Sequence, residues 1–147
     1  MHSTIRDIPI GFVPSLLIMN ASLVNVTLVV KDYDEALDFY VNKLGFEKIE
    51  DTQLTETKRW VRIRPNAEAG CCLLLAQAKN EQELQAVGNQ TGGRVFLFIH
   101  TQNIEEDLAK IKEYHIEIVR GPVEEPYGKV AVFKDLYGNL IDLIQPN

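Results

Sequence analysis

Apolar and polar positions along the chain follow two periods, and they do so twice in the same order. Leu23 to Val30 is a run rich in β-branched residues and predicts a strand. Lys31-Asp32-Tyr33-Asp34 follows, with Asp32 or Asp34 placed to cap a helix. Ala36, Leu37, Phe39, Tyr40 and Leu44 then recur at helical spacing and give that helix one apolar face. Gly45 ends it, and Phe46 to Ile49 starts a second strand. Trp60 to Arg64 alternates with period two, and Cys71 to Ala76 reads as a more fully buried strand.

The second half repeats this. Arg94 to His100 is a strand, Asn103 a helix cap, and Ile104, Leu108, Ile111 and Tyr114 the buried face of a helix. Strands at Ile116–Val119, Lys129–Phe133 and Asn139–Ile144 complete it, the last two joined by a turn at Asp135–Gly138. Aligning Tyr33 with Ile104 brings Leu37 onto Leu108, so the helices share one frame. Ala78 to Gly93 lacks strand character; it reads as a short helix at Asn80–Val87 and a flexible link at Gly88–Gly93, and it divides the halves. The prediction is an α+β fold of tandem β-α-β-β-β modules, residues 23–78 and 94–146, within a single domain at 21–147.

Residues 1–20 form an N-terminal extension. Its apolar stretch, Ile8 to Met19, is interrupted by Pro9 and Pro14 and is too short to span a bilayer. Two arrangements fit it, loose order or docking on the body or on a partner chain, and Met19 is a second candidate start. The composition of the whole 147-residue chain, 46% hydrophobic and 24% charged, is globular. A formal charge of -6 excludes a general nucleic-acid binder, which needs a concentrated basic face, and no segment suits a membrane. Cys71 and Cys72 are adjacent, where a disulfide would be strained, so reduced thiols in a cytoplasmic protein are expected.

Two separated stretches carry a family resemblance. Val26-Thr27-Leu28-Val29-Val30-Lys31-Asp32-Tyr33-Asp34-Glu35-Ala36-Leu37-Asp38-Phe39-Tyr40, followed by Leu44-Gly45-Phe46-Glu47, resembles the opening motif of the vicinal oxygen chelate superfamily, the glyoxalase/bleomycin-resistance/extradiol dioxygenase type. Pro126-Tyr127-Gly128 and Val132 to Leu143 resemble its closing motif. The resemblance implies an open, incomplete β-barrel, a ligand held in its concavity and a homodimer. It says little about reaction, since the superfamily spans lyases, dioxygenases, epimerases, transferases and metal-free drug-binding proteins.

Members that are enzymes hold a divalent metal on the first and last strands of each half, to polarise a substrate oxygen. The resemblance puts those places on Asn25, near Phe96, on Asp142 and near Leu74–Gln77. Phe96 has no donor, and Asp142, Asn25 and Gln77 together offer one carboxylate and two amides, a weak set. No metal is therefore expected, and the preferred reading is a small-molecule-binding protein. The alternative is a divalent-metal-dependent lyase or dioxygenase using those three residues.

Trp60, Arg62 and Arg64 share one strand face, and Val61 and Ile63 the other. If the apolar pair faces the helices, Trp60 and Arg62 face the concavity, for stacking and for pairing with an anion; otherwise they form an ordinary exposed face. Tyr127, in its Pro-Tyr-Gly turn, is either a hydrogen-bond donor at the cavity mouth or a structural turn aromatic. At least one of Phe96 and Phe98 is expected to pack in the core. The expected ligand-binding set is Asn25, Trp60, Arg62, Phe96, Tyr127 and Asp142. His2, His100 and His115 have no metal-ligand spacing, and no nucleotide-binding or nucleophile motif occurs.

Overall fold

In the computed structural model of the chain, residues 10–11, 13–65 and 68–147 are described; His2 and most of the extension's start therefore lie outside the described residues. Among the described residues, eight strands form two four-stranded sheets. The first contains β1 (Asn25–Val30), β2 (Glu47–Gln53), β3 (Arg59–Arg64) and β4 (Cys72–Gln77), in the order β1-β4-β3-β2. The second contains β5 (Val95–His100), β6 (Ile118–Glu125), β7 (Gly128–Lys134) and β8 (Leu140–Pro146), in the matching order β5-β8-β7-β6. In each sheet the first and last strands pair in parallel and the rest antiparallel. The sheets do not close into a barrel.

Helices α1 (Tyr33–Leu37) and α3 (Ile104–Glu113) occupy equivalent places in the two halves, and the short α2 (Glu81–Ala86) lies in the link. Asp32, Asn80 and Asn103 cap them, each side chain accepting from the backbone N–H three residues on. Helix α1 continues as a π-helical segment, Asp38–Lys43, in which the N–H of Leu44 reaches back to the carbonyl of Phe39. This widening was not visible in the apolar spacing.

One core joins both halves. Leu28, Val30, Val61, Ile63, Leu73 and Leu75 of the first sheet pack with Tyr33, Ala36, Phe39 and Tyr40, and the same cluster takes in Ile104, Leu108, Ile111, Phe133, Ile141 and Leu143. Because side chains alternate along a strand, the residues between these face the opposite, open side of each sheet.

Polar contacts lock the halves in register. Tyr40 Oη donates to Asp135 Oδ2 at 2.6 Å, and both groups are buried. Asp135 Oδ1 accepts from the N–H groups of Tyr137 and Asn139, closing the β7–β8 turn. Asn139 Oδ1 accepts from the N–H of Gln90, whose own Oε1 accepts from the N–H of Val29 on β1. Gly88, at φ 76°, lies so close to this turn that a Cβ would meet the Tyr137 carbonyl oxygen at 2.0 Å. Burial and the Asp135 charge both push the Tyr40 phenol well above its usual range, so it stays a donor.

Leu16, Leu17, Ile18 and Met19 of the extension are exposed, and residues 13–24 carry no helix or strand. No helix among the described residues is long and apolar enough to cross a membrane.

Tyr40→Phe leaves a buried carboxylate short of a donor, and about 1–3 kcal/mol of stability should be lost. Urea denaturation should show a lower midpoint with an unchanged slope.

Candidate functional site

The open face of the first sheet carries a connected polar group. Arg62 Nε donates to Asn25 Oδ1 at 2.8 Å, and Arg62 Nη1 lies 3.5 Å from Glu50 Oε1. The Trp60 indole N–H donates to the same Glu50 oxygen at 3.0 Å. Strand geometry explains the grouping. Glu50 lies directly opposite Arg62 in the β2–β3 ladder, and Arg62 lies opposite Leu74 on β4. Its guanidinium reaches Asn25 on the far side of β4, spanning the strand like an arch, and Cys72, the ladder partner of Asn25, is fully buried. Apolar Val61 and Ile63 face the helices, so Trp60 and Arg62 take the open face.

The open face of the second sheet has a different character. Phe98 lies opposite Asp142, and Asp142 opposite Val132, which in turn lies opposite Arg120. Phe98 is 66% exposed. Among the described residues Asp142 Oδ1 is a buried side-chain oxygen with no hydrogen-bond partner. Desolvation raises the Asp142 carboxyl above its ordinary value, opposed by the charge of Arg120. Arg120 itself is held by Glu125 at 2.6 Å.

The structure thus links Asn25, Arg62 and Trp60 in one chain of contacts, Arg62 bonding Asn25 directly and Glu50 joining Arg62 to Trp60. Glu50 had no signal in the sequence, because a bulge between Lys48 and Glu50 decides which face it takes. Asp142 stands on the other sheet. Phe96 is displaced from its expected role for a similar reason: an irregularity in the β5–β8 ladder between Val95 and Leu97 shifts the alternation. Phe96 packs against the core cluster and Phe98 takes the open position. Tyr127 is exposed in the β6–β7 turn. Gly128 pairs with Pro146 while Val132 pairs with Asp142, so Tyr127 lies roughly 16 Å along the sheet from Asp142 at the usual strand rise.

Strand register and parity separate Asn25, Gln77 and Asp142, the three residues a metal would need. Asn25 pairs with Cys72 and Gln77 with Val30, at opposite ends of the β1–β4 ladder. Gln77 shares strand parity with Leu73 and Leu75, which face the helices. Asn25 Oδ1 already accepts from a guanidinium, and a cation beside it would be repelled. Among the described residues no three His, Cys, Asp or Glu side chains converge. The divalent metal found in many members of the superfamily does not fit this donor set.

Duplicated β-α-β-β-β units with open sheet faces define a class of small two-module proteins. The chain belongs to the Glyoxalase/Bleomycin resistance protein/Dioxygenase superfamily, whose family model matches residues 22–143. It is 52% identical over 130 residues to an uncharacterised protein of Shewanella frigidimarina (strain NCIMB 400), covering 88% of this chain and 96% of that one. Among solved structures it is similar to TnmS3, an antibiotic binding protein from Streptomyces sp. CB03234, at 30% identity and a TM-score of 0.70, covering 88% of this chain and 99% of that one. It is also similar to UcmS2, at 29% identity and a TM-score of 0.73, covering 86% and 98%.

A raised carboxyl binds protons in the folded state that the unfolded chain has already released. Between the ordinary aspartate value and the raised one, stability should therefore fall as pH rises through that window. Asp142→Asn should flatten this slope and melt no lower than the parent at neutral pH, checked by thermal melting across a pH series.

Proposed function

We propose that the protein binds a small, flat, largely apolar molecule carrying a hydrogen-bond donor or a positive charge. The observation that carries the reading is the buried, unpartnered oxygen of Asp142 beside the exposed ring of Phe98. A buried acceptor without a donor costs free energy, and a ligand N–H or O–H removes that cost. An exposed aromatic ring on the same face provides a stacking surface. The Asn25–Arg62–Glu50–Trp60 group is already satisfied internally, so it supplies shape and an indole edge rather than a vacant charge. The antibiotic binding named for TnmS3 supports binding as the activity.

Asn25, Trp60 and Arg62 lie on one sheet and Asp142 and Phe98 on the other, and each face is open. A homodimer, in which a second copy completes the surface, is part of the reading. Free Cys71 and Cys72 suit a reducing, cytoplasmic setting. Phe96 and Tyr127 are given no contact with the ligand in this reading. The metal-dependent lyase or dioxygenase is set aside because Asp142 is the sole carboxyl among its three residues.

An aminoacridine is a suitable probe, being planar and cationic. It should bind the metal-free protein with quenching of Trp60, and Asp142→Asn or Phe98→Ala should weaken it by about tenfold or more, the worth of one charge-assisted hydrogen bond or stacked ring. Unchanged affinity in both variants would overturn the reading. Light scattering at micromolar protein should give twice the chain mass.

A further inference from the structure

The end of the first sheet holds a second feature, which comes from an interrupted ladder. Strands β3 and β4 pair from Ile63 opposite Leu73 to Val61 opposite Leu75, and there the pairing stops. Yet β3 continues to Arg59 alongside β2, and β4 continues to Gln77 alongside β1. The two strands splay. The splay opens a cavity of about 620 Å³, lined by Trp60, Leu74 and Ala76 with Tyr33 beneath and Lys58 and Lys79 at its walls. That volume lies within the usual span of small-molecule sites.

The opening is built, since its loose backbone has been provided for. The N–H of Arg59, which a continuing ladder would use, donates to Tyr33 Oη at 3.3 Å. The Arg59 guanidinium lies over the Tyr33 ring, 5.2 Å from its centroid, and is neutralised by Asp51 and Asp34, each at 2.7 Å. The hairpin wall is fixed by Thr55 Oγ1, which accepts from the N–H of Lys58 at 3.0 Å, and by a hydrogen bond from the N–H of Thr55 to the Lys58 carbonyl. The facing wall is the capped start of α2. There Glu83 is occupied, accepting from the N–H of Lys79 and from Asn80 Nδ2.

Outside ion pairs, the lining carries two lysines, Lys58 and Lys79, against one carboxylate, Glu83, which is held by neutral donors at the start of its own helix. Among the described residues neither Lys58 nor Lys79 forms an ion pair, although the chain as a whole has a formal charge of -6. An apolar slot walled by an indole, with two uncommitted ammonium groups at its sides, selects for an aromatic ring bearing an anionic group. We propose that this cavity is a binding site for an aromatic carboxylate or a similarly sized aromatic anion. Its ring lies against Trp60, Leu74 and Ala76, and its anionic group between Lys58 and Lys79. The site shares Trp60 with the surface proposed above and has no residue from the second sheet.

Two probes of equal shape test it, naphthoate and the uncharged naphthamide. The sequence has a single tryptophan, so the indole N–H signal in proton–nitrogen correlation spectra reports on Trp60 alone. Naphthoate should shift that signal and bind the full chain about tenfold or more tighter than naphthamide, losing affinity as salt is added. In the double variant Lys58→Gln/Lys79→Gln the two probes should bind equally. Both lysines are exposed, so the variant should keep its fold. Equal binding of the probes to the parent chain, a preference that survives in the double variant, or no binding of naphthoate would each overturn the proposal. Phe98→Ala should leave naphthoate affinity unchanged; if it abolishes binding while the lysine variant does not, the anion occupies the second-sheet surface and this site falls.

Discussion

The contact between the Tyr40 hydroxyl and the Asp135 carboxylate holds the two halves of the molecule in one arrangement. A carboxylate that is 5% exposed is tolerated only when donors surround it, and Asp135 has them from two sources. Its own turn supplies the N–H groups of Tyr137 and Asn139 and the Asn139 amide; the first half supplies the phenol. If the halves slid by one residue, the phenol would leave and a buried charge would lose a donor. The π-helical segment supports the same contact, because it accommodates an extra residue in the turn that bears Tyr40. Register between the halves is thus set by polar chemistry inside an apolar core. The apolar contacts alone would be less particular.

With the halves fixed, the two open faces become fixed surfaces of unlike chemistry. One is internally satisfied, with Arg62 shared between Asn25 and Glu50 and Trp60 held by its indole N–H. The other is left incomplete, with an aromatic ring uncovered and an acceptor oxygen unpaired. In the proposed reading, binding free energy comes from the incomplete face, while the satisfied face contributes rigidity. Membership of the superfamily agrees with this division, since it includes binding proteins as well as metal enzymes.

Much of the fold was legible because it depends on period and order. The strands around Val26–Val30, Trp60–Arg64 and Ile141–Leu143 and the helices capped by Asp32 and Asn103 declare themselves by alternation, apolar spacing and capping residues. The site was legible in part. Asn25, Trp60 and Arg62 come together because unbroken alternation carried them to one face. Glu50 and Phe98 were missed, each beside a ladder irregularity that switches faces without any change in residue type. Gln77 stands at the far end of its strand from Asn25 and on the helix-facing side, and Tyr127 stands in a turn several residues along from Asp142, a displacement that alternation does not report. A pattern of period two gives the face of a residue and says nothing of which end of the sheet it occupies.

The parallel pairing of first with last strand in each half also sets an order of assembly. Asn25 has no ladder partner until Cys72 arrives, and Val95 none until Leu140. As the chain emerges from the ribosome, β1 must therefore wait through a helix and two strands before its neighbour exists, and β5 waits likewise. Hairpin β2–β3 can close early, whereas the edges that complete each sheet close late, at the cost of a long loop. Asp135, near the end of the sequence, then joins Tyr40, near its start, so the contact that fixes the halves is among the last to be made.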